Sequence, residues 1–340
     1  MAAQQPLCGI LNVDKPLEWT SHQVVAALRK WSGERRIGHA GTLDPLATGV
    51  LLLCLGKATR VSSYLMASTK VYRATLRLGL STTTDDAEGE VVSESPVNVS
   101  REQFEAVLPP FVGQIEQVPP LYSAVKRQGK RLYEYARRGV DVQVSPRTVQ
   151  VHDLTVLDWS PPEVVLRVAC GPGTYVRALA RDLGRVLGCG ASLSALRRTA
   201  SGQFHVDRAV PLSEIERAYA GPAADAQDSA SAVIRAHLAP LDTAFAHLPA
   251  LPLDAAGARR LVMGQGVSAE LAPGEPSAAP RGRGLLPVDG HSRTYAEARA
   301  HEYARAYGPG DQFLALVAWN EDAHHWRPRK VFVQPAELLS

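Results

Sequence analysis

The chain has 340 residues, of which 45% are hydrophobic and 21% charged, with a formal net charge of +3. That composition excludes wholesale disorder, a collagen-like repeat and a coiled-coil rod, and the length predicts about two domains. The longest apolar run, Val50 to Leu55, is too short to cross a bilayer, the N-terminal residues lack the basic-then-apolar layout of a signal peptide, and the four cysteines form no C-x-x-C pair. A cytoplasmic protein without disulfides or a cysteine-held zinc is therefore expected.

Thr20 with Gln23 makes a T-x-x-Q capping box, and Val24, Leu28 and Trp31 recur at helical spacing up to Gly33, which predicts a helix over 21–32. Residues 38–45 hold two glycines and a proline and lead into Val50 to Leu55, which places Asp44 on a loop feeding a buried strand. From Lys70 to Leu78 polar and apolar residues alternate, predicting a strand with Tyr72, Ala74, Leu76 and Leu78 on its inward face. Ser100 with Gln103 makes a second capping box, and Lys130 to Arg138 reads as a short basic helix closed by Gly139. The valine-rich runs Val140 to Val144, Thr148 to Val156 and Val164 to Cys170 read as strands.

Gly171-Pro172-Gly173 then turns the chain into a helix over 174–187, stopped by Gly188, with Arg177, Arg181 and Arg185 on one face. Residues 223–232, rich in alanine and aspartate, and 268–287, dense in Pro, Gly and Ala, read as linkers or long surface loops. Strand signals at Phe313 to Trp319 and Lys330 to Val333 predict a small β-rich second domain, dividing the chain into 7–248 and 249–340 with an insertion at 278–307.

Positive charge is concentrated between Lys126 and Arg147, where seven basic residues face Glu134 and Asp141, a footprint suited to a phosphate-rich partner. Several chemistries lack their residues. Gly49 to Thr59 only mimics a phosphate loop, since Ala58 follows Lys57, and no G-x-S-x-G or H-E-x-x-H occurs. The adjacent His324 and His325 read as solvated, so no metal or organic cofactor is expected. What remains is a carboxylate in a glycine-flanked loop, aromatics on strands, and arginines on a helix.

The run Gly38-His39-Ala40-Gly41-Thr42-Leu43-Asp44-Pro45-Leu46-Ala47-Thr48-Gly49 closely resembles the catalytic loop of the TruB-type tRNA pseudouridine synthases. The resemblance continues through Asp14-Lys15-Pro16, Lys70-Val71-Tyr72, Pro119 to Lys126, Gly173 to Leu179 and Leu196 to Thr199, all in the family's order. It implies an α+β catalytic domain built on a mixed, largely antiparallel sheet, followed by a small PUA-like RNA-binding β-domain. It also implies an isomerase that flips out uridine 55 of the tRNA T arm and exchanges its C1′–N1 bond for C1′–C5. No cofactor, membrane or protein partner is required by this reading; tRNA is the partner, and the protein acts as a monomer.

By the same resemblance Asp44 is the nucleophile, or the base that starts sugar elimination, and a paired Arg177 keeps it ionised. Tyr72 stacks on the flipped base and helps to remove the C5 proton, Tyr175 lines the pocket, Leu196 forms its apolar wall and His39 contacts RNA at the flipped site. Lys15 supports the loop or binds phosphate. The sequence departs from the family at Glu18, which replaces a glycine and is awkward if the turn requires positive φ, and its C-terminal block resembles the family only weakly. A guide-RNA-dependent synthase of the same superfamily and a non-enzymatic RNA-binding protein are the rival readings.

Overall fold

The computed structural model describes residues 6–123, 126, 127, 129–136, 138, 140, 142–221, 225–271 and 302–338. The chain opens with β1 (Gly9–Lys15), α1 (Ser21–Ser32), β2 (Ile37–His39), β3 (Ala47–Leu55), α2 (Ser62–Ala67) and β4 (Lys70–Leu78). A hairpin of β5 (Leu80–Thr82) and β6 (Val91–Glu94) follows, then α3 (Arg101–Ala106), β7 (Gly113–Gln117), the short pair β8 (Lys126–Arg127) and β9 (Lys130–Arg131), and α4 (Leu132–Ala136). Next come β10 (Arg147–Ser160), β11 (Glu163–Cys170), α5 (Val176–Leu187), β12 (Ala191–Ser201), β13 (Phe204–His205), β14 (Val210–Pro211), α6 (Leu212–Tyr219), α7 (Ala226–Ala236) and β15 (Leu238–Ala239). The last part holds β16 (Ala250–Pro252), α8 (Ala255–Val262), β17 (Tyr303–Gly308), β18 (Gln312–Asn320) and β19 (His325–Val331).

An eleven-stranded sheet forms the backbone of the larger body, in the order β14-β1-β3-β12-β4-β11-β10-β7, with β2, β13 and β15 attached beside it. Its ladders are antiparallel except for β1–β14 and β3–β12, which run parallel, so the α+β class with a mixed, largely antiparallel sheet is the fold observed. The β12 strand lies between β3 and β4, two strands close together in sequence that do not pair with each other. This arrangement brings the Asp44 loop, which precedes β3, beside Tyr72 of β4.

Both capping boxes form. Thr20 caps α1 through the Gln23 backbone N–H, Ser100 caps α3 through that of Gln103, and Gly33 closes α1 in the left-handed region at φ 71°. Val24, Leu28 and Trp31 of α1 pack with Leu51 and Leu53 of β3, Leu76 of β4 and Leu179 and Leu183 of α5 in one core.

Three expectations need correction. Val140 and residues 142–146 form no strand: they are irregular and pair with no strand among the described residues. The stretch 223–232, read as a linker, largely belongs to α7, whose Ala230 and Ile234 sit four residues apart, are fully buried, and pack that helix against α1 and α6. The end of the 278–307 stretch read as an insertion is β17, which pairs with both β16 and β18 in the four-stranded C-terminal sheet; residues 272–301 lie outside the described residues.

The C-terminal sheet is seated on the larger body. Phe245, fully buried, meets Tyr64 edge-on at 4.8 Å and Phe332 at 6.0 Å, and Phe332 stacks on Phe313 at 5.2 Å. These rings share one core with Ile10, Val50 and Leu52 of the large sheet, and Lys57 forms an ion pair with Glu337 at the rim. Aromatic burial of this kind contributes several kcal/mol and holds the two bodies in one orientation.

Candidate active site

Residues 41–46 form the loop that carries Asp44, and four anchors fix it. Ser21 Oγ, 1% exposed at the start of α1, accepts from the Leu43 N–H at 2.9 Å and donates to the Leu43 carbonyl at 3.1 Å. Lys15 Nζ donates to the carbonyls of Pro16 at 2.8 Å, Trp19 at 2.5 Å and Pro45 at 3.3 Å. The Glu18 N–H donates to the same Pro45 carbonyl at 3.0 Å, and Arg198 Nη2 to the Gly41 carbonyl at 3.1 Å. Lys15 is wholly buried with its ammonium committed to carbonyls, and burial lowers its pKa to about 8, so it supports the loop from beneath.

Glu18 has φ 66°, a left-handed conformation that favours glycine. Glu18→Gly is therefore expected to raise stability by about 1 kcal/mol, read as a shift of the denaturation midpoint at unchanged slope. An unchanged or lowered midpoint would mean that the glutamate side chain offsets its backbone strain.

Arg177 reaches the loop from the first turn of α5. Tyr175, the residue before that helix, is held at both backbone groups by the Gln117 amide of β7, at 2.8 Å to its N–H and 3.0 Å to its carbonyl. The Arg177 side chain is 6% exposed and divides its donors: Nη2 lies 3.1 Å from Asp44 Oδ2 and Nη1 3.1 Å from Asp86 Oδ2. Its remaining bonds go to the carbonyls of Thr84 at 3.2 Å and Tyr122 at 2.9 Å. Asp86 is buried and accepts from Thr84 Oγ1 at 2.5 Å and from the Glu88 N–H at 3.1 Å. One guanidinium thus bridges a buried carboxylate and one open to solvent.

The Asp44 side chain is 41% exposed, yet protein surrounds it closely enough that burial is the dominant influence and raises its pKa above the ordinary aspartate range. Arg177 opposes that rise, Asp86 adds to it, and Lys15 opposes it. Pairing with Arg177 does not hold the carboxyl below its usual value, as the sequence suggested; desolvation outweighs the ion pair.

Tyr72 lies on β4 directly opposite Arg198 of β12, with burial raising its phenol pKa. Leu196, 9% exposed, pairs with Ala47 on one side and Ala74 on the other, one pleat from Tyr72. The charge of Asp44 reaches both Tyr72 and Tyr175, so carboxylate, tyrosines, Arg177 and Leu196 occupy one neighbourhood. His39 ends β2, its ring edge-on to His22 at 5.5 Å, and burial lowers its pKa, which favours a neutral imidazole. Asp86, Gln117 and Arg198 were not anticipated as parts of this site. Asp86 sits in the polar run Thr82 to Glu90, which has the composition of an exposed turn, and Arg198 follows another arginine in a strand that reads as solvent-facing.

Comparison with known proteins gives the family. The tRNA pseudouridine synthase B of Thiobacillus denitrificans is 44% identical over 290 residues, covering 85% of this chain and 91% of that protein. The chain belongs to the TruB family of pseudouridylate synthases. The family model for the TruB N-terminal domain matches residues 29–176, and that for the tRNA pseudouridylate synthase B C-terminal domain matches residues 177–246. The tRNA pseudouridine synthase B of Gloeobacter violaceus is 46% identical over 267 residues, covering 76% of this chain and 86% of that protein. Among solved structures, a chain of a Cbf5-Nop10-Gar1 complex superposes with a TM-score of 0.67 at 27% identity, covering 96% of this chain and 86% of that one. As a member of the TruB family the protein is an isomerase. No helix among the described residues is long and apolar enough to cross a membrane.

Proposed function

We propose that this protein isomerises uridine 55 in the T arm of tRNA to pseudouridine, in the cytoplasm and without a partner protein. The observation that carries this reading is the Asp44–Arg177 pair, a half-open carboxylate 3.1 Å from a buried guanidinium, beside Tyr72, Tyr175 and Leu196. A base stacked inside folded RNA must be turned out of its stack to reach such a pocket, and an aromatic face and an apolar wall replace the neighbours it loses. Once it is there, the C1′–N1 bond breaks with its electron pair going to the base. Asp44 either bonds to C1′ or removes the 2′ proton to leave a glycal. The detached base turns on Tyr72 and C5 bonds to C1′, displacing the Asp44 carboxylate where it had bonded there, or, from the glycal, with the abstracted proton returned to C2′; the C5 hydrogen then leaves as a proton, so nothing is oxidised or hydrolysed.

The segment from Lys126 to Arg147 supplies basic residues for the phosphate backbone, and the four-stranded C-terminal sheet serves as a PUA-like RNA-binding surface. Relatives at 44% and 46% identity are each named tRNA pseudouridine synthase B, which favours this reading over the guide-dependent one that the more distant Cbf5 neighbour brings to mind.

Tritium release from an unmodified tRNA transcript labelled at uridine C5, with only the pure protein added, tests the reading. Release approaching one equivalent per tRNA, and lost when position 55 is changed to cytidine, is expected. Release that needs a guide RNA and further proteins would favour the alternative.

A further inference from the structure

Arg198 heads the fully buried side chains by size, with 1% of its surface exposed, and no carboxylate pairs with it among the described residues. Burying a cation without a counter-charge is costly, and the space could be filled by an apolar side chain at less expense. Its surroundings add to that cost, since buried Lys15 and Lys70 both feel its charge. A group kept under these conditions is kept for what its donors do.

Those donors reach two separate pieces of the site. Nε donates to the Val50 carbonyl of β3 at 2.6 Å, and Nη2 to the Gly41 carbonyl of the Asp44 loop at 3.1 Å. The guanidinium belongs to the residue that the β4–β12 register sets directly opposite Tyr72, and its charge acts on the Tyr72 phenol. The backbones also pack closely, since a Cβ on Gly49 would lie 2.2 Å from the Arg198 carbonyl oxygen.

We propose that Arg198 is a positioning residue for the isomerisation, tying the Tyr72 ring to the Asp44 loop so that the stacking surface and the carboxylate keep one spacing while the detached base turns. The inference rests on the function proposed above and adds a residue to it. Lysine at this position would keep the charge but has no planar fork to span the Val50 and Gly41 carbonyls while standing opposite Tyr72.

The test times single-turnover tritium release for wild type, Arg198→Lys, Tyr72→Phe and the double variant, together with tRNA affinity and melting temperature. Arg198→Lys is expected to slow release on the order of 10²-fold with tRNA affinity and melting temperature unchanged, because a displacement of about 1 Å in a reacting array costs that much. In the Tyr72→Phe background the same change should cost far less, since the phenol that the guanidinium would orient is gone. Equal losses in both backgrounds, or a rate loss that follows a loss of melting temperature, overturn the proposal.

Should Tyr72→Phe be too slow to time, the crystal structure of Arg198→Lys decides. A Tyr72 ring turned away from the loop with β4 and β12 still in register supports the proposal, and an unmoved ring defeats it. Wild-type protein that released no tritium would remove the proposed function, while this structural comparison would still report on the tie between Tyr72 and the loop.

Discussion

Asp44→Asn is expected to abolish pseudouridine formation while keeping tRNA affinity within about tenfold, or 1.4 kcal/mol, of the parent. The amide can take the same place beside Arg177 and accept its hydrogen bond, so the loop anchored by Ser21, Lys15 and Arg198 has no reason to move. What is lost is the charge: an amide oxygen neither attacks C1′ nor removes a proton at neutral pH. The pH dependence carries a second signature. Burial raises the Asp44 pKa, so the active, ionised form is depleted as pH falls through that raised value. The acid limb of the rate profile should therefore lie above the ordinary aspartate range. Loss of tRNA binding together with turnover in Asp44→Asn would mean that the carboxylate shapes the loop instead of reacting.

Arg177→Met should both silence the enzyme and destabilise the fold by about 3–5 kcal/mol, because it leaves Asp86, whose side chain is 2% exposed, as an uncompensated buried charge. The carbonyls of Thr84 and Tyr122 lose a donor in the same step. Removing the stranded charge as well, in Arg177→Met with Asp86→Asn, should recover most of the stability and none of the activity. Urea denaturation of the three proteins separates the two effects. A single variant as stable as wild type would show that water reaches Asp86 and solvates it.

Much of the candidate site was legible because its signals are local. The T-x-x-Q box and the left-handed Gly33 bound α1, strict alternation from Lys70 to Leu78 bounds β4, and the glycine-proline loop marks Asp44 without reference to any distant residue. The supporting layer was not legible, because its meaning lies in partners far along the chain. Asp86 is hydrophilic and turn-like until Arg177, ninety-one positions away, draws it inward. Arg198 reads as a surface charge until β12 slides between β3 and β4, and its alternation is blurred by register irregularities near Leu193 and Arg198. The helix α7 escaped notice because its buried side is mostly small: Ala230, Ser231 and Ile234 give a weak apolar period, and their size lets the helix pack on α1.

The placement of β12 also sets an order of assembly. The loop with Asp44 and the strand with Tyr72 are made early in synthesis, yet they flank a gap in the sheet until Ala191–Ser201 is available to fill it. A growing chain that has passed Tyr72 but not Ser201 therefore exposes two unpaired strand edges, and until Arg177 is made it carries a carboxylate with no counterpart. Closing the gap requires contacts more than a hundred residues apart in sequence, the kind that form slowly and leave intermediates open to aggregation. The two halves of the pocket meet only when the last central strand is inserted, so a chain truncated before β12 cannot be partly active.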